Sequence, residues 1–180
     1  MKYLLIVTAL LWSSTSQAQT QSTVQAYYYQ QAYRAILASP EFRNFRENKR
    51  FVCVFDSIVF QDQGLFLTEL GKNWHYQGRK EENRLRDSLD IADKQTWHEP
   101  YYSLFTANLT AASTAKRGCV VILFFRLQKD MLLAEVSINQ GGGAALRDIL
   151  PTFNQTLRYL LFFEFKGKVR QYYTQAVSYN

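Results

Sequence analysis

Histidine and cysteine are scarce, with two of each in 180 residues. A zinc site of the H-E-x-x-H kind needs two histidines one helical turn apart, so that both face the metal. His75 and His98 stand far from each other, and His98-Glu99 is followed by Pro100. Both follow a tryptophan, in NWHYQ and TWHEP, and read as residues of helix ends or polar edges; no metal and no cofactor is expected. Cys53 and Cys119 lie neither at a helix start nor beside a histidine in sequence, which argues against a cysteine nucleophile. A G-x-S-x-G elbow is missing, and with it the signature of an α/β-hydrolase serine. The run Gly141-Gly142-Gly143 lacks the spaced glycines and Lys-Ser/Thr of a phosphate loop and reads as a flexible connection.

Long apolar runs are missing too. A helix needs about 20 apolar residues to cross a bilayer core of about 30 Å, and GCVVILFF, bounded by Arg117 and Arg126, falls well short. The N-terminal run from Tyr3 to Trp12 is also too short. Preceded by Lys2 and followed by Ser16-Gln17-Ala18, it has the pattern of a secretory signal peptide cleaved after Ala18. Residues 19–180 are then expected as one exported domain, periplasmic or extracellular, with no transmembrane segment. The net charge of +6 is mild, and basic residues alternate with acids in EFRNFRENKR and GRKEENRLRD. Such mixed runs form solvated helix faces. A nucleic-acid surface needs uncompensated basic clusters, so none is expected.

Aromatic residues are abundant: 13 Phe, 12 Tyr and 3 Trp. They furnish either a core built from rings or an aromatic-lined binding surface. A helix is expected over 22–37, with Ser22 as N-cap, Tyr29, Ala32, Tyr33, Ile36 and Leu37 at helical spacing, and Pro40 as a stop. RFVCVFDSIVF, 50–60, reads as a strand. The middle, 64–113, is helical in character: NRLRDSLDIADK is amphipathic through Leu85, Leu89 and Ile91, and Pro100 suits the first turn of a helix over EPYYSLFTANL. In QTWHEPYY the acid is explained by that helix start, and Trp97 is expected to pack inside.

The C-terminal part reads as two hairpins. GCVVILFFRLQ and DMLLAEVSI flank a two-residue turn at Lys129-Asp130, which places Cys119, Val121, Leu123 and Phe125 on one face with Leu132, Ala134, Val136 and Ile138. TLRYLLFFEF and VRQYYTQAVSY pair around Lys166-Gly167-Lys168. The class is α+β: an antiparallel sheet of about five strands, two hairpins plus the earlier strand, with helices on its apolar face. The order resembles the layout of cystatin-like and nuclear-transport-factor-2-like folds, which host many unrelated functions.

MLLAEVSI, FNQTLRYLLFFEFKGKV and the closing VSYN are similar to segments of small exported proteins of Bacteroidota without characterised function. Gln19, straight after the expected cleavage point, fits the same group. None of these segments holds a chemical motif, so the resemblance implies an exported α+β domain and no activity.

Charges inside apolar strands mark the candidate site: Asp56, Arg126, Glu135, Arg158 and Glu164. On an exposed sheet face they form cross-strand pairs; buried, they need partners. The exposed reading makes that mixed, aromatic-rich face a binding surface for a partner protein or a small ligand, without catalysis. The alternative is a small hydrolase or isomerase using Glu135 or Asp56 in a sheet pocket. Export permits a disulfide between Cys53 and Cys119, the other reading being two buried thiols acting as small hydrophobes.

Overall fold

The computed structural model describes residues 24–46, 49, 51–76, 78–110, 117–141 and 154–178. The expected leader 1–18, the Ser22 cap and Gly142-Gly143 lie outside them. Helix α1 covers 24–38. It buries Tyr29, Ala32 and Ile36 at the three- and four-residue spacing of one helix face and leaves Tyr27 exposed. Ser39 joins it to α2, Pro40–Arg46: its hydroxyl donates to the Ile36 carbonyl at 2.8 Å and accepts from the Phe42 amide at 3.2 Å. Pro40 therefore opens a second helix at the position where its missing N–H costs nothing.

Strand β1, Val52–Val59, is followed by a 3-10 turn, Gln63–Phe66, and by α3, Leu67–Asn73, and α4, Arg79–Thr96. A two-residue strand β2, Tyr101–Tyr102, and a short helix α5, Leu104–Ala107, lead towards β3, Val120–Phe125. Pro100 thus precedes a strand, not a helix. Helix α5 is capped by Ser103, whose Oγ accepts from the Phe105 amide at 3.2 Å. The chain finishes with β4, Met131–Ile138, β5, Gln155–Phe163, and β6, Val169–Ser178.

Six strands line up in the order β2-β1-β3-β4-β5-β6. All neighbours are antiparallel except β1 and β3, which run parallel, so the α+β class stands and the expected purely antiparallel, five-stranded sheet is corrected. The expected hairpin of β5 and β6 is present, turning through Gly167 at φ 75. A Cβ there would lie 2.9 Å from the Tyr27 ring, as well as straining the backbone.

Helices cover both faces of the sheet, not one. On the first face Phe66, Leu70, Leu85 and Leu89 pack on Val121, Leu123, Leu133, Leu160 and Phe162. On the second, Tyr29, Ala32, Ile36 and Phe42 pack on Ile122, Phe124, Leu132, Tyr159 and Leu161. β3 is buried along its whole length and β4 along all but its last residue. The amphipathic stripe of α4 is narrower than expected, since Ile91 is 56% exposed. At the sheet's ends, β2 is only two residues long, whereas β6 is a ten-residue edge strand.

Candidate functional site

The parallel pair β1 and β3 delivers both carboxyl ends to one side of the sheet, and that is where ligands settle in open sheets with parallel strands. Phe60 and Gln61 leave β1 there, Arg126 and Leu127 leave β3, and the connection from α4 to β2 brings His98 between them.

A bulge sets Arg126. The Lys129-Asp130 turn closes as expected, with Gln128 and Met131 exchanging backbone hydrogen bonds at 2.9 and 2.8 Å. Beyond it Phe124 pairs with Ala134. The β3 arm has therefore taken four steps, from 128 to 124, while the β4 arm took three, from 131 to 134. One extra residue flips the face assignment of β4: Leu132, Ala134 and Val136 lie with Val120, Ile122 and Phe124, contrary to the pairing expected from the turn. The backbone groups freed by the extra residue are taken by Tyr29, whose hydroxyl donates to the Phe125 carbonyl at 3.0 Å and accepts from the Leu127 amide at 3.2 Å. Burial pushes the Tyr29 phenol well above its usual value near 10, so the proton this bridge needs stays in place. Between these anchored groups the Arg126 side chain is turned out and exposed.

Arg126 lines three adjoining spaces. A groove of about 500 Å³ runs between α4 and the β3–β4 turn, with Leu85, Leu89, Ala92 and Met131 in its walls and the part-exposed rings of Trp74 and Tyr76 beside them. A cleft of about 380 Å³ opens between α1, β2 and α5, bounded by Gln25, Tyr29, Tyr101 and Phe105. Between them lies a chamber of about 10 Å³ that holds Gln61 and His98.

His98 is half-buried. Its Nδ1 is 2.8 Å from the Glu99 carbonyl oxygen; a carbonyl only accepts, so Nδ1 carries a proton, and the tautomer this selects has its lone pair on Nε2. Edge-to-face contacts with Phe60 and Tyr101, centroids 6.2 and 4.9 Å away, hold the ring. Nε2 is buried without a hydrogen-bond partner among the described residues, as are both amide atoms of Gln61. Buried polar atoms are rarely left so.

The residues nominated from sequence do not converge. Glu135 and Arg158, expected on an exposed face, are 7% and 9% exposed. They are register partners on β4 and β5 and form an ion pair with Nε to Oε2 at 3.3 Å. Asp56 is half-buried where β1 loses register with β3, and accepts from the Ser57 hydroxyl at 3.2 Å. Glu164 is exposed in the β5–β6 turn. Of the five, only Arg126 borders the spaces described above. Cys53 on β1 and Cys119 immediately before β3 are both buried in the same core cluster.

His98 and Gln61 were not nominated. Contrary to the expectation for QTWHEPYY of a helix start with Trp97 packed inside, Trp97 is 59% exposed and the histidine is the better covered of the two. The signal available was a histidine and a glutamine beside strand ends; the bulge that gathers them is a tertiary feature.

A second polar cluster lies nearby. Asp93 on α4 accepts from the Gln63 amide at 3.0 Å and its side-chain nitrogen at 2.8 Å. Burial first, and also the neighbouring Asp62, push its carboxyl above the usual range, against the lowering effect of the Gln63 bonds. No group of three or more His, Cys, Asp or Glu among the described residues is arranged to hold a metal ion, and none of the described helices is long and apolar enough to cross a membrane. No protein-family model, curated protein or solved structure matches the chain, so the site is argued from its geometry.

Proposed function

We propose that the protein is an exported, non-catalytic binding protein whose ligand is a small amphiphilic organic anion held in the groove between α4 and the β3–β4 turn. The observation that carries the proposal is an apolar groove of about 500 Å³ ending on the exposed guanidinium of Arg126. Its volume suits a small molecule, and ligand sites typically combine apolar walls with a few polar groups that orient the ligand. Lys129 stands beside Asp130 in the same rim, so their charges offset and Arg126 supplies the unbalanced cation. Export rests on the leader pattern of residues 1–18. The cystatin-like or nuclear-transport-factor-2-like layout adds a proposal about architecture and no function.

The binding surface is thereby moved from the sheet face, which helices cover, to the edge where the parallel strands end. A hydrolase or isomerase using Glu135 or Asp56 has no comparable support: Glu135 is engaged with Arg158, and neither carboxylate borders the groove, the cleft or the chamber.

Calorimetry with decanoate and decanol tests the proposal. Decanoate is expected to bind the wild-type protein and to lose about tenfold on Arg126→Gln, as for one charge-assisted hydrogen bond, while the weak binding of decanol stays unchanged. Absence of decanoate binding, or equal decanoate affinity in the two proteins, would overturn it.

A further inference from the structure

The groove has a polar annex. The chamber shares Thr96, Arg126, Gln128 and Met131 with it and adds Gln61 and His98. A space of about 10 Å³ admits one group the size of a water molecule. The atoms facing that group set its chemistry. In the tautomer that its Nδ1–H···Glu99 carbonyl bond selects, His98 offers a lone pair at Nε2; Gln61 offers a donor and an acceptor. The occupant must therefore donate to His98 while accepting from, or donating to, Gln61. A carboxylate cannot donate to Nε2. An ammonium can, but it would sit beside the like-charged Arg126. A hydroxyl donates its one proton to Nε2 and accepts from the Gln61 side-chain nitrogen without adding charge, leaving the Gln61 oxygen alone unmet.

Resting on the groove reading, we infer that the ligand is a medium-chain hydroxy acid, its carboxylate on Arg126, its hydroxyl in the chamber between His98 Nε2 and Gln61, and its chain along the groove. Because Arg126 borders both spaces, the hydroxyl belongs close to the carboxylate, at the second or third carbon. The preference has a ceiling. When the ligand lacks a hydroxyl, a water fits the chamber and can donate to the Gln61 oxygen as well as to Nε2, so the hydroxyl gains only by releasing that ordered water, about tenfold at most.

The test is calorimetry of 3-hydroxydecanoate against decanoate on the wild-type protein, His98→Ala and Gln61→Met, with nitrogen-15 NMR of the His98 ring. The hydroxy acid is expected to bind the wild type about tenfold more tightly and to shift the Nε2 resonance, which decanoate leaves in place. Each variant is expected to bind the two acids equally, and a circular-dichroism spectrum and melting curve like those of the wild type show that it is folded. Decanoate binding with no hydroxyl preference, or a preference that survives both substitutions, overturns this inference and leaves the groove reading intact. Failure of both acids to bind the wild type overturns the groove reading and this inference together.

Discussion

Tyr29 does for the β3 bulge what a ladder hydrogen bond does in regular sheet: it occupies the Phe125 carbonyl and the Leu127 amide with one hydroxyl. Tyr29→Phe removes that hydroxyl from buried surroundings, and a cost of about 1 to 3 kcal/mol is expected in urea unfolding, with weaker decanoate binding because Arg126 loses its anchor on either side. Stability lost without any change in binding would separate the bulge from the site. The Glu135–Arg158 pair differs in kind. Glu135→Leu alone takes the carboxylate away from a buried guanidinium and is expected to cost about 3 to 5 kcal/mol, whereas Glu135→Leu with Arg158→Met recovers most of it, since a buried ion pair adds little over well-packed apolar groups. Equal losses in the single and double variants would contradict this. Asp93 supplies the pH dependence. Its carboxyl is raised in the folded protein, so the folded state holds that proton more tightly than the unfolded one, and the stability this contributes fades as pH rises through the folded value. Asp93→Asn stays neutral, so thermal unfolding should favour the variant increasingly as pH climbs above about 4. A constant difference from pH 3 to 8 would show that Asp93 does not titrate abnormally.

Strands and helices were legible from sequence where periodicity decides and illegible where burial on both sides erases it. β5 and β6 pair as read, and two-residue alternation sets Leu157, Tyr159, Leu161 and Phe163 on one face. VVILFF and MLLAEVS give no such contrast, because near-continuous apolar runs belong to strands covered on both faces; the expectation of helices on a single face fails for that reason, although the helix over 22–37 is present as α1. The site was hidden by register. Arg126 was visible as a charge at the end of an apolar strand, but its neighbours Gln61 and His98 come from distant segments and are gathered by the β1–β3 pairing and one inserted residue. The same pairing bears on the cysteines: Cys53 faces Val121 across the parallel ladder, and Cys119 lies two residues before that partner. In mature protein from an oxidising compartment a disulfide is expected to tie β1 to β3, worth about 4 kcal/mol by loop-closure entropy. Counting thiols in unfolded, unreduced protein checks this, and two reactive thiols per chain would reject it.

For the molecule as a whole, export is expected to leave Gln19, or its cyclised form, at the N-terminus. Mass spectrometry of exported material decides the matter, and retention of Met1 would reject the leader. The topology also carries a consequence in time. The hairpins β3–β4 and β5–β6 close over short turns, whereas β1 reaches β3 only after α3, α4, β2 and α5 have intervened. Closing so long a loop is an entropic cost met before its contacts form. The hairpins are therefore the early framework of folding and β1 its late arrival, and the chamber, whose two sides hang on β1 and β3, exists only once the last strand has docked. A bound hydroxy acid would then act as a sensor of completed folding, slowing amide exchange in β1 while leaving the hairpins untouched.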